Sequence, residues 1–380
     1  MPSGSETGRG LRVGIDVTPL LGNRTGIGVA TDQILSALAR RAEFDLLGYA
    51  VSVRGLKGLD GAVGDRASTG QRPMPARPLM AAWARSGHPR LERFVGPLDV
   101  AHGTNFVVPP TRQAARVVSV WDLTFVRYPE LCQPATLRFG RLVERAVRTG
   151  ATVHTASAAI AEEVRSQFGA RREQVAVVPL GIPDLGTPDL DTATSIIEPS
   201  VPYILSVGTA EPRKDLPTLV AAFDALAATH RDVELVLVGA PGWGEADLVA
   251  AIEQAKHPER IRRTGFVSDA AVAGLLRGAR ALAYPSRYEG FGFPPLQAMA
   301  AGIPVVTTRA GSLPEVVGGA ALLVNPGEVE DLAEALDVAV FDEAQRTVLI
   351  AAGRARAADF SWERTGEGLS TLYRQLAASR

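Results

Sequence analysis

The sequence predicts an α/β protein made of two parallel-sheet domains, and three observations carry that expectation. At 380 residues the chain exceeds what one ordinary core encloses. Short apolar runs alternate with stretches of helical spacing in both halves, the pattern of strands joined by crossover helices. Between the halves, residues 182–200 interrupt the alternation with Pro183, Gly186, Pro188 and Pro199 among Asp and Thr residues, which reads as a linker.

The first strand is Leu11 to Val17, with Val13, Ile15 and Val17 on one side. A glycine-containing loop then leads into a helix with Ile27, Ala30, Ile34 and Leu38 at helical spacing. Further strand-length runs follow at Leu46 to Val51, Val100 to Ala101, Val117 to Val120, Thr152 to Thr155 and Val175 to Val178. After the linker the rhythm restarts. Tyr203 to Val207, Val233 to Val238, Ala281 to Tyr284, Pro304 to Thr307 and Ala320 to Val324 read as strands. Leu216 to Ala228, Asp269 to Gly278, Pro295 to Ala301 and Glu328 to Val340 read as helices. The last segment, Phe360 to Leu376, is an amphipathic helix with Ser361 as its N-cap. The expected boundaries are a first domain at 1–181, a linker at 182–200, a second domain at 201–360 and a final helix at 361–380.

Composition narrows the function. Hydrophobic residues at 46% and charged residues at 21% describe a soluble globular chain, and a net charge of −1 argues against nucleic-acid binding, which needs a basic excess. The single cysteine, Cys132, cannot close an internal disulfide, and no Cys/His cluster has zinc spacing. The start of the chain is polar, without the apolar stretch of a secretory signal, and no run is long enough to span a bilayer. These features point to a cytoplasmic protein whose membrane contact would be peripheral.

The most informative segment is Glu289-Gly-Phe-Gly-Phe-Pro-Pro-Leu-Gln297. It follows a buried strand, and open α/β sheets bind ligands at the carboxyl ends of their strands. Pro294 and Pro295 start a helix whose free N–H groups form an anion site, while Gly290 and Gly292 let the backbone approach a ligand. Glu289, aimed inward, would accept hydrogen bonds from sugar hydroxyls; aimed outward, it is a solvated residue on an ordinary turn. Arg213 and Lys214 follow another strand end. Cations at the front of a helix oppose its dipole, so either a bound anion resolves the conflict or the pair is simply solvated.

An ordered set of motifs runs along both halves. In the first half it comprises Gly14-Ile-Asp16, Thr25-Gly-Ile-Gly28, His102-Gly-Thr-Asn105, Trp121-Asp-Leu-Thr-Phe125, Thr155-Ala-Ser157 and Val178-Pro-Leu-Gly-Ile182. In the second it comprises Val207-Gly-Thr-Ala-Glu-Pro-Arg-Lys-Asp215, Leu237-Val-Gly-Ala-Pro-Gly-Trp243, Gly265-Phe-Val-Ser-Asp269 and the Glu289 loop. This set resembles the retaining glycosyltransferases with two Rossmann-like domains (GT-B architecture) of the group 1, or family 4, type, bacterial mannosyltransferases among them. The resemblance implies two domains facing across a cleft, a final helix crossing back to the first, and a nucleotide-sugar donor held by the second. Arg213 and Lys214 would stabilise the leaving nucleoside diphosphate, as charge builds there in the transition state. Glu289 would hold the donor sugar's hydroxyls, with Gly290, Phe291 and Gly292 beside it. Gly265, Phe266 and Val267 would face the base, Gly208 would line the donor site, and Gly26 and Gly28 would meet the phosphates. His102, Asn105 and Asp122 would lie on the acceptor side or in the cleft. No cofactor and no essential metal are implied beyond the nucleotide sugar as co-substrate.

Two positions depart from the family pattern. Trp121 stands where many members have a histidine near the reacting centre; its indole offers one N–H and a face that either stacks on the sugar or packs internally. Gln297 stands where a second glutamate usually binds the ribose, and it keeps an acceptor without the charge. On the acceptor side, residues 66–94 hold six arginines and one acid, Glu92, with apolar residues interleaved. That suits an anionic lipid surface or lipid-linked acceptor, although a solvated loop with one short helix satisfies it too. Arg138, Arg141, Arg145 and Arg148 form a second stripe on one helical face, expected to face solvent. The expected activity is hexose transfer, with mannose from GDP-mannose favoured, to a glycan or lipid-linked acceptor. The alternative is an inactive relative that binds a nucleotide or glycan as a partner subunit.

Overall fold

The computed structural model describes residues 10–22 and 26–379. The polar start 1–9 and Thr25 of the first glycine motif lie outside the described residues. The chain divides into two compact units, residues 1–181 with 361–380, and residues 182–360.

In the first unit the strands are β1 (Leu11–Asp16), β2 (Phe44–Tyr49), β3 (Ser68–Thr69), β4 (Val100–Gly103), β5 (Ala115–Ser119), β6 (Thr152–Thr155) and β7 (Val175–Val177). They form one sheet in the order β3-β2-β1-β4-β5-β6-β7, and every pair is parallel. The order reverses direction beside β1, the arrangement of a doubly wound sheet. Helices cover the sheet, so its central strands are buried on both faces: Val13, Ile15, Val100, Val117, Val118 and Val153 are wholly buried. The final helix, Trp362–Ala378, packs against the helix Gly26–Ala39. Ser361 caps it, its hydroxyl accepting from the Arg364 N–H at 3.3 Å.

In the second unit β8 (Tyr203–Val207), β9 (Glu234–Val238), β10 (Ile261–Gly265), β11 (Ala281–Tyr284), β12 (Val305–Thr308) and β13 (Leu322–Val324) form a parallel sheet in the order β10-β9-β8-β11-β12-β13. Its core gathers Leu219, Phe223, Leu235, Ala281, Val306 and Leu336.

Three expectations need correction. The segment 182–200 is not simply a linker: it holds a short helix, Leu190–Ile196, capped by Asp189 and packed on the helix Asp269–Gly278 within the second unit. The sheet's edge strand β10 carries Arg262 and Arg263 outward, which hides its apolar signal. Residues 66–94 hold more structure than one short helix in a loop, with β3, a helix at Ala76–Trp83 and a further turn of helix at Glu92–Val95.

Candidate functional site

The carboxyl ends of β8 and β11, with the loops that follow them, place three polar side chains around one oxygen of a fourth. After β8 a 3-10 turn, Pro212–Lys214, presents Arg213 and Lys214. Asp215 follows with φ of 52° and starts the helix Leu216–Ala227. Its carboxylate, buried in the unit, pairs with Arg287 at 3.0 Å, and the Arg287 N–H donates to the Arg213 carbonyl at 2.7 Å. The two loops are thereby tied together.

In the loop that follows β11, Glu289 is turned inward and only 7% exposed. Its Oε1 accepts from the Arg213 guanidinium at 2.7 Å, the Lys214 ammonium at 2.6 Å and the Tyr284 hydroxyl at 3.0 Å. Lys214 also donates to the Tyr284 hydroxyl and lies 4.4 Å from the centre of its ring. Arg213 is bound on its other side by Glu211 at 2.8 Å. Burial pushes the Glu289 carboxyl up, but Arg213, Lys214 and the hydrogen bonds outweigh it and hold the pKa at about 2. Burial lowers the Lys214 ammonium, Glu289 opposing the shift and Arg213 adding to it. Burial and the Glu289 charge keep the Tyr284 phenol neutral by raising its pKa.

The cations at the helix start already have carboxylate partners, Glu211 and Glu289, so no bound anion is needed to hold them there. What remains for a ligand is donor capacity: Lys214 has three N–H groups and two partners among the described residues.

The backbone supports the carboxylate from behind. The Glu289 carbonyl accepts from the Ser312 N–H at 2.9 Å and the Ser312 hydroxyl at 3.1 Å. Gly311 makes this approach possible, because a Cβ there would sit 2.2 Å from the Glu289 carbonyl oxygen at a φ of +54°. Gly292 precedes the helix Phe293–Ala301 with φ of 96°, and both prolines occupy its first turn, where missing N–H groups cost nothing.

The other expected donor residues divide. Gly208 lies against Lys214, and a Cβ there would fall 3.5 Å from the lysine Cε. Gly265, at the end of β10, accepts from the Gly239 N–H, and Phe266 beyond it is 80% exposed, with Val267 half-buried. Phe291 is turned into the protein, edge-on to Phe293 and Phe360. Gln297 is half-buried and its amide donates to the Pro183 carbonyl at 3.4 Å, a long bond.

In the first unit, Gly28 is buried and Gly26 exposed at the start of the helix Gly26–Ala39. Trp121 is 8% exposed; its N–H donates to the Thr104 carbonyl at 2.8 Å and its ring meets His154 edge-on. The indole N–H is thus engaged by a backbone carbonyl inside the first unit, in keeping with the packing alternative. Asp122 accepts from the Thr124 N–H and hydroxyl at 2.9 and 2.7 Å, closing the turn into the helix Thr124–Arg127. Asn105 is half-buried beside Phe106, whose φ is 58°.

His102 is wholly buried in a chain of hydrogen bonds: Tyr373 hydroxyl to His102 Nδ1 at 2.6 Å, His102 Nε2 to Ser119 at 2.8 Å, Ser119 to His154 Nδ1 at 2.9 Å, and His154 Nε2 to the Val178 carbonyl at 3.0 Å. The carbonyl can only accept, so His154 carries its proton on Nε2. Each earlier donor then follows, ending with Tyr373 donating to His102 Nδ1. Burial holds both imidazoles neutral, His102 well below its usual range and His154 down to about 4. Both nitrogens of His102 are engaged, so it does not replace the histidine absent at position 121.

Sequence reasoning missed Tyr284, Glu211 and Arg287. Tyr284 was read only as the end of an apolar strand; its position one residue before a loop rich in ligand-type residues was the available signal. Among the described residues no group of three or more His, Cys, Asp or Glu side chains is placed to hold a metal ion.

Comparison with known proteins agrees with this architecture. Residues 192–356 match the family described as glycosyl transferases group 1, and residues 25–181 match the glycosyl transferase 4-like domain. The chain is 30% identical to the O-antigen chain mannosyltransferase B of Escherichia coli over 76% of its own length and 78% of that protein's. Sucrose-phosphate synthase from Thermosynechococcus elongatus superposes with a TM-score of 0.77 at 20% identity, covering 97% of this chain and all of that one. Anabaena HepE, solved in complex with UDP, superposes at 0.71 and 18% identity over 96% of this chain and all of that one. The chain belongs to the group 1, 4-like glycosyltransferases of GT-B fold, enzymes that move a sugar from a nucleotide-sugar co-substrate.

Proposed function

We propose that this glycosyltransferase moves mannose from GDP-mannose to a glycan or lipid-linked acceptor, with retention at the anomeric carbon. The observation that carries the reading is the cluster of half-buried Arg213 and Lys214 around buried Glu289 and Tyr284 at the strand ends of the second unit. In the proposed reaction Lys214 and Arg213 face the diphosphate and stabilise its growing charge as the glycosidic bond breaks. Glu289 fixes both cations and orients the sugar's hydroxyls through the same carboxylate. The N–H groups at the start of the helix Phe293–Ala301 add a partial positive charge. Gln297 meets the ribose, and Gly265 to Val267 face the base. The acceptor hydroxyl attacks the face that the diphosphate leaves, and a diphosphate oxygen takes its proton. With two side-chain cations in that role, turnover is expected to survive chelation of divalent ions. Membrane contact, if the acceptor is lipid-linked, is peripheral: among the described residues no helix is long and apolar enough to cross a bilayer.

Mannose is favoured because the Escherichia coli relative is named as a mannosyltransferase. The HepE structure holds UDP, so the test must include other bases. Thermal-shift measurements against GDP-, UDP-, ADP- and TDP-sugars, followed by donor hydrolysis on any that stabilise the protein, decide it. Stabilisation and hydrolysis restricted to GDP-mannose are expected. Selective turnover of a UDP-sugar would replace the donor assignment, and binding without turnover under any acceptor supply would favour the inactive reading.

A further inference from the structure

The first unit contains a cavity of about 270 Å³ that the sugar-transfer reading does not use. The basic stretch 66–94 and the arginine stripe of the helix Phe139–Arg148, separate in sequence, both contribute to its wall. Arg90 comes from the first, Arg145 from the second, and Arg116 from β5. The Trp83, Val107 and Leu142 side chains, all buried, supply an apolar floor. Among the described residues no acidic side chain lines the cavity.

The wall is built rather than incidental. The Trp83 N–H donates to the Pro89 carbonyl at 2.9 Å and the Leu91 N–H to the Pro110 carbonyl at 2.8 Å, fixing the loop that carries Arg90 between the helices Ala76–Trp83 and Glu92–Val95. Arg116 is anchored by Thr149, its guanidinium donating to the hydroxyl at 3.0 Å and to the carbonyl. Arg90 and Arg145 differ from Arg116. Their guanidinium groups have no hydrogen-bond or ion-pair partner among the described residues. Exposed Arg90 and half-buried Arg145 at the wall of a cavity with an apolar floor and, among the described residues, no carboxylate are matched by a phosphate oxyanion attached to an apolar body, since the fork geometry suits phosphate and the floor suits hydrocarbon.

We propose that this cavity binds a phosphate ester with an apolar chain, a lipid phosphate, with Arg90 and Arg145 on the phosphate and Trp83, Val107 and Leu142 against the chain. The inference stands apart from the donor reading: it concerns the first unit, and its failure would leave GDP-mannose turnover as it is.

The test is titration of the full chain with monomeric dihexanoyl phosphatidic acid, and separately with inorganic phosphate, followed by calorimetry. The expected result is saturable binding of the phosphatidic acid, weakened at least about tenfold in the Arg90→Gln/Arg145→Gln double variant. Arg148→Gln, on the same helix but outside the cavity, should bind as the unaltered chain does, and melting curves check that both variants are folded. Equal binding by the double variant and Arg148→Gln would overturn the site. Inorganic phosphate binding as tightly as the phosphatidic acid would overturn the lipid, because the apolar floor would then contribute nothing. Sedimentation with phosphatidic acid vesicles separates the sources: co-sedimentation lost in the double variant assigns the ligand to a membrane, whereas monomer binding without co-sedimentation assigns it to a free lipid phosphate.

Discussion

Each unit buries a polar cluster among its strand ends, and the two clusters are chemically opposite. In the first, Tyr373, His102, Ser119 and His154 form a neutral chain that ends on a carbonyl, with both nitrogens of each imidazole engaged. In the second, Arg213, Lys214 and Tyr284 crowd a single carboxylate oxygen of Glu289, all three donors on Oε1. A closed neutral chain fixes packing and leaves little for a ligand to join. A buried ionic cluster costs desolvation, and one with spare donors keeps a place for an incoming anion. The resemblance of fold between the units thus conceals a division of labour written in protonation states.

Removing the carboxylate should have the largest effect. Glu289→Ala leaves Lys214 and Arg213 without their shared partner, and turnover should fall about 10²- to 10³-fold, the loss seen when one positioned electrostatic group is deleted. Steady-state kinetics on GDP-mannose measure it. His102→Ala, by contrast, should lower the melting temperature while turnover per folded molecule changes little.

Acid should separate the clusters next. Glu289, with a pKa lowered to about 2, contributes stability that is full above its unfolded value and is lost only as pH falls through about 2. His154, lowered to about 4, contributes stability that is full above its unfolded value of 6.5 and is lost as pH falls through about 4. Asp16 opposes this in the first unit: its burial raises its pKa to about 6, so its contribution is full in acid and is lost as pH rises through about 6. Hydrogen exchange resolved by peptide between pH 7 and 4 should show protection falling first around β4 to β6, while the Glu289 loop holds. Loss in the opposite order would break the comparison.

Smaller effects sharpen it. Tyr373→Phe leaves the buried His102 Nδ1 without a donor and should cost about 1–3 kcal/mol in denaturant titration. Tyr284→Phe removes one neutral donor from a carboxylate that keeps two cations, so a loss of about 1 kcal/mol in donor binding is expected by calorimetry. Gln297→Glu should strengthen GDP-mannose binding by about tenfold or less, because a charged acceptor makes the stronger bond. Unchanged affinity would remove Gln297 from the ribose role.

How much of this could be read in the chain differs by region for physical reasons. Periodicity located the central strands because burial on both faces leaves nearly continuous apolar runs. It missed β10, whose Arg262 and Arg263 are exposed at a sheet edge, and the helix Glu343–Ala357, whose apolar residues follow no clear stripe. Glu289, Arg213 and Lys214 were legible as residue types at strand ends, but their mutual pairing was not, since 75 residues separate Lys214 from Glu289. The partner of His102 lay further away still, 271 residues on, in the last helix. Trp121 shows the limit most plainly: its face could stack on a sugar or pack internally, and only the fold places the Thr104 carbonyl at its N–H and His154 against its ring.

In the proposed function the ionic cluster of the second unit carries the leaving diphosphate. Release of GDP from GDP-mannose by the unaltered chain and by Lys214→Ala tests it directly, with a melting curve for each. A fall of about 100-fold or more with the fold intact is predicted. Equal GDP release by a folded Lys214→Ala variant would contradict the claim.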